Sequence, residues 1–233
     1  MAYTELTQAE VDRKLLEHKM FLAQNVPHWE NKRADFSNCI LNGIDFHGAD
    51  LSKAVFVNSI LKDCDLSECN LTFAKCSFLS GERNRFVHAD LNRTVLDFSH
   101  LTDCNFSGAK LLSTSLYQGK LLECEFTDTY FLHTNLYFAD MDKGHFLSST
   151  FEDATCINAG FTDTTFKKTE FIDTDLLRAN FGGAKLTDVV MNRTDTSLAF
   201  FDDAKMYAED KAGKTPADLC HELASELEEG YSL

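Results

Sequence analysis

The chain has 233 residues, 44% of them hydrophobic, enough to build the core of one large domain or two small ones. A formal charge of −15 argues against direct binding to nucleic acid or an anionic membrane, and favours a basic protein partner or simple solubility. There is no basic-then-apolar leader, no apolar run near the ~20 residues of a membrane span, and no C-x-x-C among the eight Cys; the expectation is a cytoplasmic protein with reduced thiols.

The first predicted element is a helix over residues 7–24. Thr7 and Glu10 have capping-box spacing, and Val11, Leu15, Leu22 and Met20 or Phe21 can form one apolar stripe. The helix is expected to pack over the first turn of whatever follows, with residues 1–32 acting as cap and connector.

From residue 36 the chain changes character. A large apolar residue recurs every fifth position: Phe36, Leu41, Phe46, Leu51, Phe56, Leu61, Leu66, Leu71, then Phe86 to Met191, ending at Phe201 and Met206. Only Cys76, Gly81 and Thr196 are weak among 35 such centres from 36 to 206. An α-helix cannot use this spacing, because five steps of about 100° leave successive residues about 140° apart. A flat strand cannot use it either, because five is odd and the residues would alternate between faces. The spacing requires the chain to turn a corner once per repeat.

Two residues before each centre lies a small residue, as at Ala34, Cys39, Ala49, Ala54, Cys64, Cys69, Ala74 and Ala89. Centre and small residue then both face inward, and the positions at −1, +1 and +2 face solvent. Four corners of about 90° close a square coil of 20 residues, and coils stacked at about 4.8 Å give nearly nine turns and a rod roughly 42 Å long. Both prolines, Pro27 and Pro216, lie outside residues 33–207, which set the bounds of the repeat domain.

The stretch 73–86 departs from the pattern, with Leu79 and Asn84 in the small slot and Gly81 in the large one. Two readings are open: a distorted corner in which Phe78 or Leu79 fills the gap, or a short loop leaving the rod. Beyond the repeats, residues 208–233 contain a second predicted helix. Thr215 is its N-cap, Pro216 its first residue and Gly230 its stop, with Leu219, Leu223 and Leu227 along one face. It is expected as a helical lid or as a dimer contact.

The units ADLSK (49–53), ADLNR (89–93), CNFSG (104–108) and ANFGG (179–183) resemble the A-(D/N)-(L/F)-x-x repeats of pentapeptide-repeat proteins. The resemblance covers about three quarters of the chain. It implies an all-β solenoid, a right-handed quadrilateral β-helix, with short α-helices at the N- and C-termini. It says almost nothing about function.

The register assigns outward residues to four faces, with centres at 36, 41, 46 and 51 and every twentieth residue after each. Face two carries nine acidic and four basic residues. Asp63, Asp103, Glu123, Asp140, Asp142, Asp163, Asp202 and Asp203 form its candidate acidic surface, against ordinary solvated charge as the plain alternative. Face one is different: Phe98, Tyr117, Tyr137, Phe138, Ile157 and Leu177 lie in adjacent columns on successive coils. A strip this long suits a partner or homodimer surface, or needs cover from the N-terminal helix or residues 208–214.

No chemistry stands out. The eight His are scattered, no H-E-x-x-H, nucleophile motif or phosphate loop is present, and no catalytic, metal or cofactor site is expected. Cys104 and Cys124 stack one strand spacing apart, within disulfide reach, but are read as two small buried thiols. The first functional expectation is a non-enzymatic protein-binding scaffold acting through the β-helix surface. The alternative, implied by resemblance to the quinolone-resistance branch of the family, is an acidic DNA mimic that binds DNA gyrase or another type II topoisomerase.

Overall fold

The computed structural model describes residues 2–207, and all structural statements refer to these. Its repeating unit follows from one backbone choice. At every fifth residue from Asn38 to Asp203, 34 positions in a row, φ lies between 49° and 69°. Four of these are glycines; the other thirty are side-chain-bearing residues held in the left-handed region. Most corners close with a hydrogen bond from the next small-slot N–H to the preceding centre, as in Ala54 N–H to Leu51 O at 2.9 Å. Each pentad therefore turns the chain once, and four turns bring residue i over residue i + 20.

Stacked coils satisfy each other's backbone. Phe56 N–H donates to Lys75 O on the next coil at 2.7 Å, and Val55 N–H donates to Ala34 O on the previous one at 3.0 Å. Face two carries a parallel sheet of β1 (Thr4–Glu5), β2 (Cys39–Asn42), β3 (Ile60–Lys62), β4 (Ser80–Glu82), β5 (His100–Thr102) and β6 (Lys120–Leu122). In the second half, strands lie on face four as β7 (Tyr130–Leu132), β9 (Thr150–Glu152), β11 (Glu170–Ile172) and β13 (Val190–Asn192). Those on face three are β8 (His145–Leu147), β10 (Thr165–Lys167), β12 (Lys185–Thr187) and β14 (Lys205–Tyr207). The remaining sides are joined by single parallel bridges such as Val95↔Ser115.

Inside, the centres form unbroken ladders. Phe86, Phe106, Phe126, Phe146 and Phe166 stack ring on ring with centroid separations of 4.6, 5.3, 4.7 and 4.8 Å. The small slot also admits hydroxyls and thiols, because each can donate to a carbonyl 23 residues earlier. Thr94 Oγ1 reaches Leu71 O and Thr114 Oγ1 reaches Leu91 O at 2.7 Å, while Cys69 Sγ reaches Phe46 O at 2.9 Å. The seven described cysteines are buried and free, Cys104 and Cys124 included. Burial pushes the Cys69 and Cys76 thiols up to about 12, so these sulfurs act as core atoms and not as nucleophiles.

The departure at 73–86 stays on the rod. Gly81 pairs in register with Leu61 and Leu101 within β4, and no loop projects. Leu79 is buried and Phe78 is 53% exposed, and the space beside Gly81 is taken by Asn84 and Leu101. Gly81 is required there: a Cβ would lie 2.5 Å from Asn84 Nδ2 and 2.8 Å from Leu101 Cδ2. Asn84 makes up for its size by capping Cys64 N–H and Leu61 O, both at 2.9 Å.

At the N-terminus, α1 (Gln8–Ala23) forms as expected, with the Thr7–Glu10 capping box complete. It seals the first coil through Val11, Leu15 and His18. The short strand β1 was not expected; it covers the edge of β2 through Thr4↔Cys39 and Glu5↔Ile40. The expected C-terminal helix with Leu219, Leu223 and Leu227 lies outside the described residues.

Candidate functional site

Because the interior is filled by backbone-determined ladders, any specific recognition must use the −1, +1 and +2 positions. On face one the structure brings all six expected residues together. Tyr117, Tyr137, Ile157 and Leu177 occupy one column on consecutive coils, each half-buried by its neighbours. Phe98 and Phe138 stand in the adjoining corner column, 42% and 48% exposed.

The rings form a second ladder, on the outside of the rod. Phe78 stacks on Phe98 at 5.1 Å, Phe98 meets Tyr117 edge-on at 5.5 Å, Tyr117 stacks on Tyr137 at 5.9 Å, and Tyr137 meets Phe138 edge-on at 4.7 Å. Phe78 joins the strip from its corner position 20 residues before Phe98 and does not fill the gap at 73–86. Phe78, Phe98, Phe138 and Leu198 all sit at left-handed corners, with φ between 55° and 59°. That region disfavours bulky side chains by roughly 1–2 kcal/mol per residue, so apolar bulk is held there at a cost in folding. The N-terminal helix does not cover this strip, because its buried residues are spent on the first coil.

The acidic face resolves into two unlike halves. In the first, bases from neighbouring coils neutralise the acids. Arg83 grips Asp63 through Nε at 2.7 Å and Nη2 at 3.0 Å and also contacts Glu82. This holds the Asp63 carboxyl below its ordinary range. Lys143 Nζ pairs with Glu123 at 3.5 Å. In the second half, Asp140, Asp142, Asp163, Asp202 and Asp203 have no ion pair among the described residues. Glycines make room for these carboxylates: a Cβ on Gly183 would lie 2.4 Å from Asp163 Oδ1, and one on Gly160 would lie 3.0 Å from Asp142 Oδ1. Asp142 accepts Thr162 N–H at 2.7 Å, yet partial burial and the nearby Asp140 charge raise its pKa. Asp103 belongs to neither group; it is an exposed corner residue between Asp63 and Glu123 in the same column.

Among the described residues no cluster of His, Cys, Asp and Glu is arranged to hold a metal ion. Also among them, no helix is long and apolar enough to cross a membrane. A shallow depression of about 370 Å³ lies over Gly81 on face two, lined by Ile60, Lys62, Glu82 and His100.

Comparison with known proteins places this geometry. The pentapeptide repeats family matches in eight copies over residues 32–67, 51–80, 85–116 and 149–195. No curated protein matches. Among solved structures, the chain is similar to HetL, a pentapeptide repeat protein involved in heterocyst differentiation regulation in the cyanobacterium Nostoc sp. strain PCC 7120. Identity is 18% over 89% of this chain and 98% of that one, with a TM-score of 0.44. Full-length QnrB1, a plasmid-mediated fluoroquinolone resistance protein, is 18% identical over 86% of this chain and 99% of its own, with a TM-score of 0.31. A pentapeptide repeat protein of the Arabidopsis thaliana thylakoid lumen is 21% identical over 54% and 66%, with a TM-score of 0.21. With its repeats matched over more than half of its length, the chain belongs to the pentapeptide repeat family.

Proposed function

We propose that this protein is a non-enzymatic docking scaffold, and that the aromatic strip on face one is the surface a partner protein occupies. The observation that supports it is the outer ring ladder from Phe78 to Phe138, whose phenylalanines are exposed and held at left-handed corners that disfavour such side chains. Rigid aromatic groups offer large contact area with little side-chain entropy to lose, which suits an interface. A second copy and an unrelated protein both fit this chemistry. The test is the triple substitution of Phe98, Tyr137 and Phe138 by Ser in the full chain. Loss of a specific captured partner, or a change from dimer to monomer in solution mass, is expected. Unchanged partners, mass and solubility would remove the strip from consideration.

A second reading rests on the unpaired half of face two. Five carboxylates over four coils present a negative surface to a basic DNA-binding protein such as DNA gyrase, the partner proposed for an acidic mimic. The neutralised first half makes this reading narrower than a full-length acidic rod. It predicts inhibition of gyrase supercoiling by the full chain, strongest at low salt where screening is least. No inhibition at low ionic strength, or inhibition unaltered when Asp163, Asp202 and Asp203 become Asn, rejects it.

A further inference from the structure

His18 is the one fully buried ionisable side chain of the N-terminal cap. It lies between α1 and the first coil and is bonded to the rod on both sides of its ring. Nδ1 accepts Ala34 N–H at 3.1 Å, and Nε2–H donates to Ser52 O at 3.0 Å. The acceptor role of Nδ1 fixes a neutral imidazole with its proton on Nε2. An imidazolium would carry protons on both nitrogens and set Nδ1–H against Ala34 N–H, two donors facing each other inside a dry contact. The ring can satisfy its charged form only by leaving.

We propose that α1 is an acid-released latch on the mouth of the rod, opened by protonation of His18. The other fastenings lie away from the His18 ring. Gln8 exchanges two hydrogen bonds with the Asp45 backbone, both at 2.9 Å, and Lys14 Nζ donates to Asp35 O at 3.0 Å. The charged groups facing His18 are Asp50 on the first coil, which favours the imidazolium, and Arg33 in the connector, which opposes it. The Glu17–Lys32 pair at 3.7 Å tethers α1 to the turn at Trp29–Lys32. Burial is the larger effect and holds the His18 pKa below its ordinary value of 6.5. The contribution of His18 to the closed state is therefore complete above 6.5 and is lost as pH falls from there through the lower, closed-state value. Release uncovers the apolar mouth formed by Phe36, Leu41, Phe46 and Leu51.

The protein carries its own reporter. Its single Trp, Trp29, lies 5.7 Å from Phe21, which stacks on His18 at 5.3 Å. In the full chain, Trp29 emission is expected to shift to the red reversibly between pH 7.5 and 5 while the far-ultraviolet signal of the rod holds. His18→Gln preserves one acceptor and one donor without titrating, so its emission should match the parent at pH 7.5 and stay flat. No shift before the rod itself unfolds, or an equal shift in His18→Gln, overturns the latch. Should His18→Gln be open already at pH 7.5, hydrogen exchange of the unsubstituted protein decides. After correction for intrinsic rates, opening at Val11–Ala23 should rise about tenfold per pH unit between the two pKa values, with residues 86–186 still protected. Undiminished protection of the helix at pH 5 overturns it.

Discussion

Two aromatic ladders run side by side along this rod with similar ring spacing, although the inner rings all stack face to face and the outer ones alternate stacked and edge-on contacts. The inner one, Phe86 to Phe166, has centroid separations of 4.6–5.3 Å; the outer one, Phe78 to Phe138, has 4.7–5.9 Å. What separates them is backbone and water. The inner rings sit at pentad centres and are at most 2% exposed, while the outer phenylalanines sit at left-handed corners and are 42–53% exposed. Stacking alone therefore does not reveal purpose. A ring in the interior is required by the fold, and a ring at a disfavoured corner needs some other reason to be there.

The largest predicted effect breaks the inner ladder. Phe146→Ala removes a fully buried ring between Phe126 and Phe166 and should destabilise the rod by about 3–5 kcal/mol, read as a fall in urea midpoint. Gly81→Leu tests the one place where the ladder omits a side chain. The overlap with Asn84 and Leu101 should destabilise by about 1–3 kcal/mol even though the new residue restores the sequence pattern. A gain in stability there would mean that Asn84 and Leu101 can yield to a side chain at this position. Phe138→Asn on the outer ladder exchanges ring contact for a residue that tolerates the left-handed region. Its midpoint should move by less than about 1 kcal/mol in either direction, sharpening the contrast with Phe146. The smallest effect is expected for Arg83→Ala: its pair with Asp63 is exposed, so the fall in urea midpoint should be the least of the four and vanish in high salt.

The inner ladder was legible because a period of five with alternate large and small residues admits one geometry. The outer strip was legible once that register was known, since Tyr117, Tyr137, Ile157 and Leu177 differ by twenty. The pairing of Arg83 with Asp63 could have been read the same way, by following one corner column across coils. Other features left no pattern. Thr4 and Glu5 form a strand because the edge of β2 needs a partner, and two exposed polar residues carry no signal of that. His18 completes the stripe of Val11, Leu15 and Leu22, but a single polar residue in an amphipathic helix reads as surface until the coil beneath it is seen. Between the two readings of 73–86, only the in-register pairing of Gly81 with Leu61 and Leu101 could decide.

The thirty side-chain-bearing corners have a consequence for how such a molecule can change. Lys, Arg, Asp, Glu, Phe and Leu all occupy the same backbone conformation, because the coils above and below dictate it through main-chain hydrogen bonds. Heredity can then rewrite the exterior one letter at a time with little effect on the shape that displays it. The rod works as a fixed grid with interchangeable characters, and new binding specificity can arise on it without a new fold having to be found.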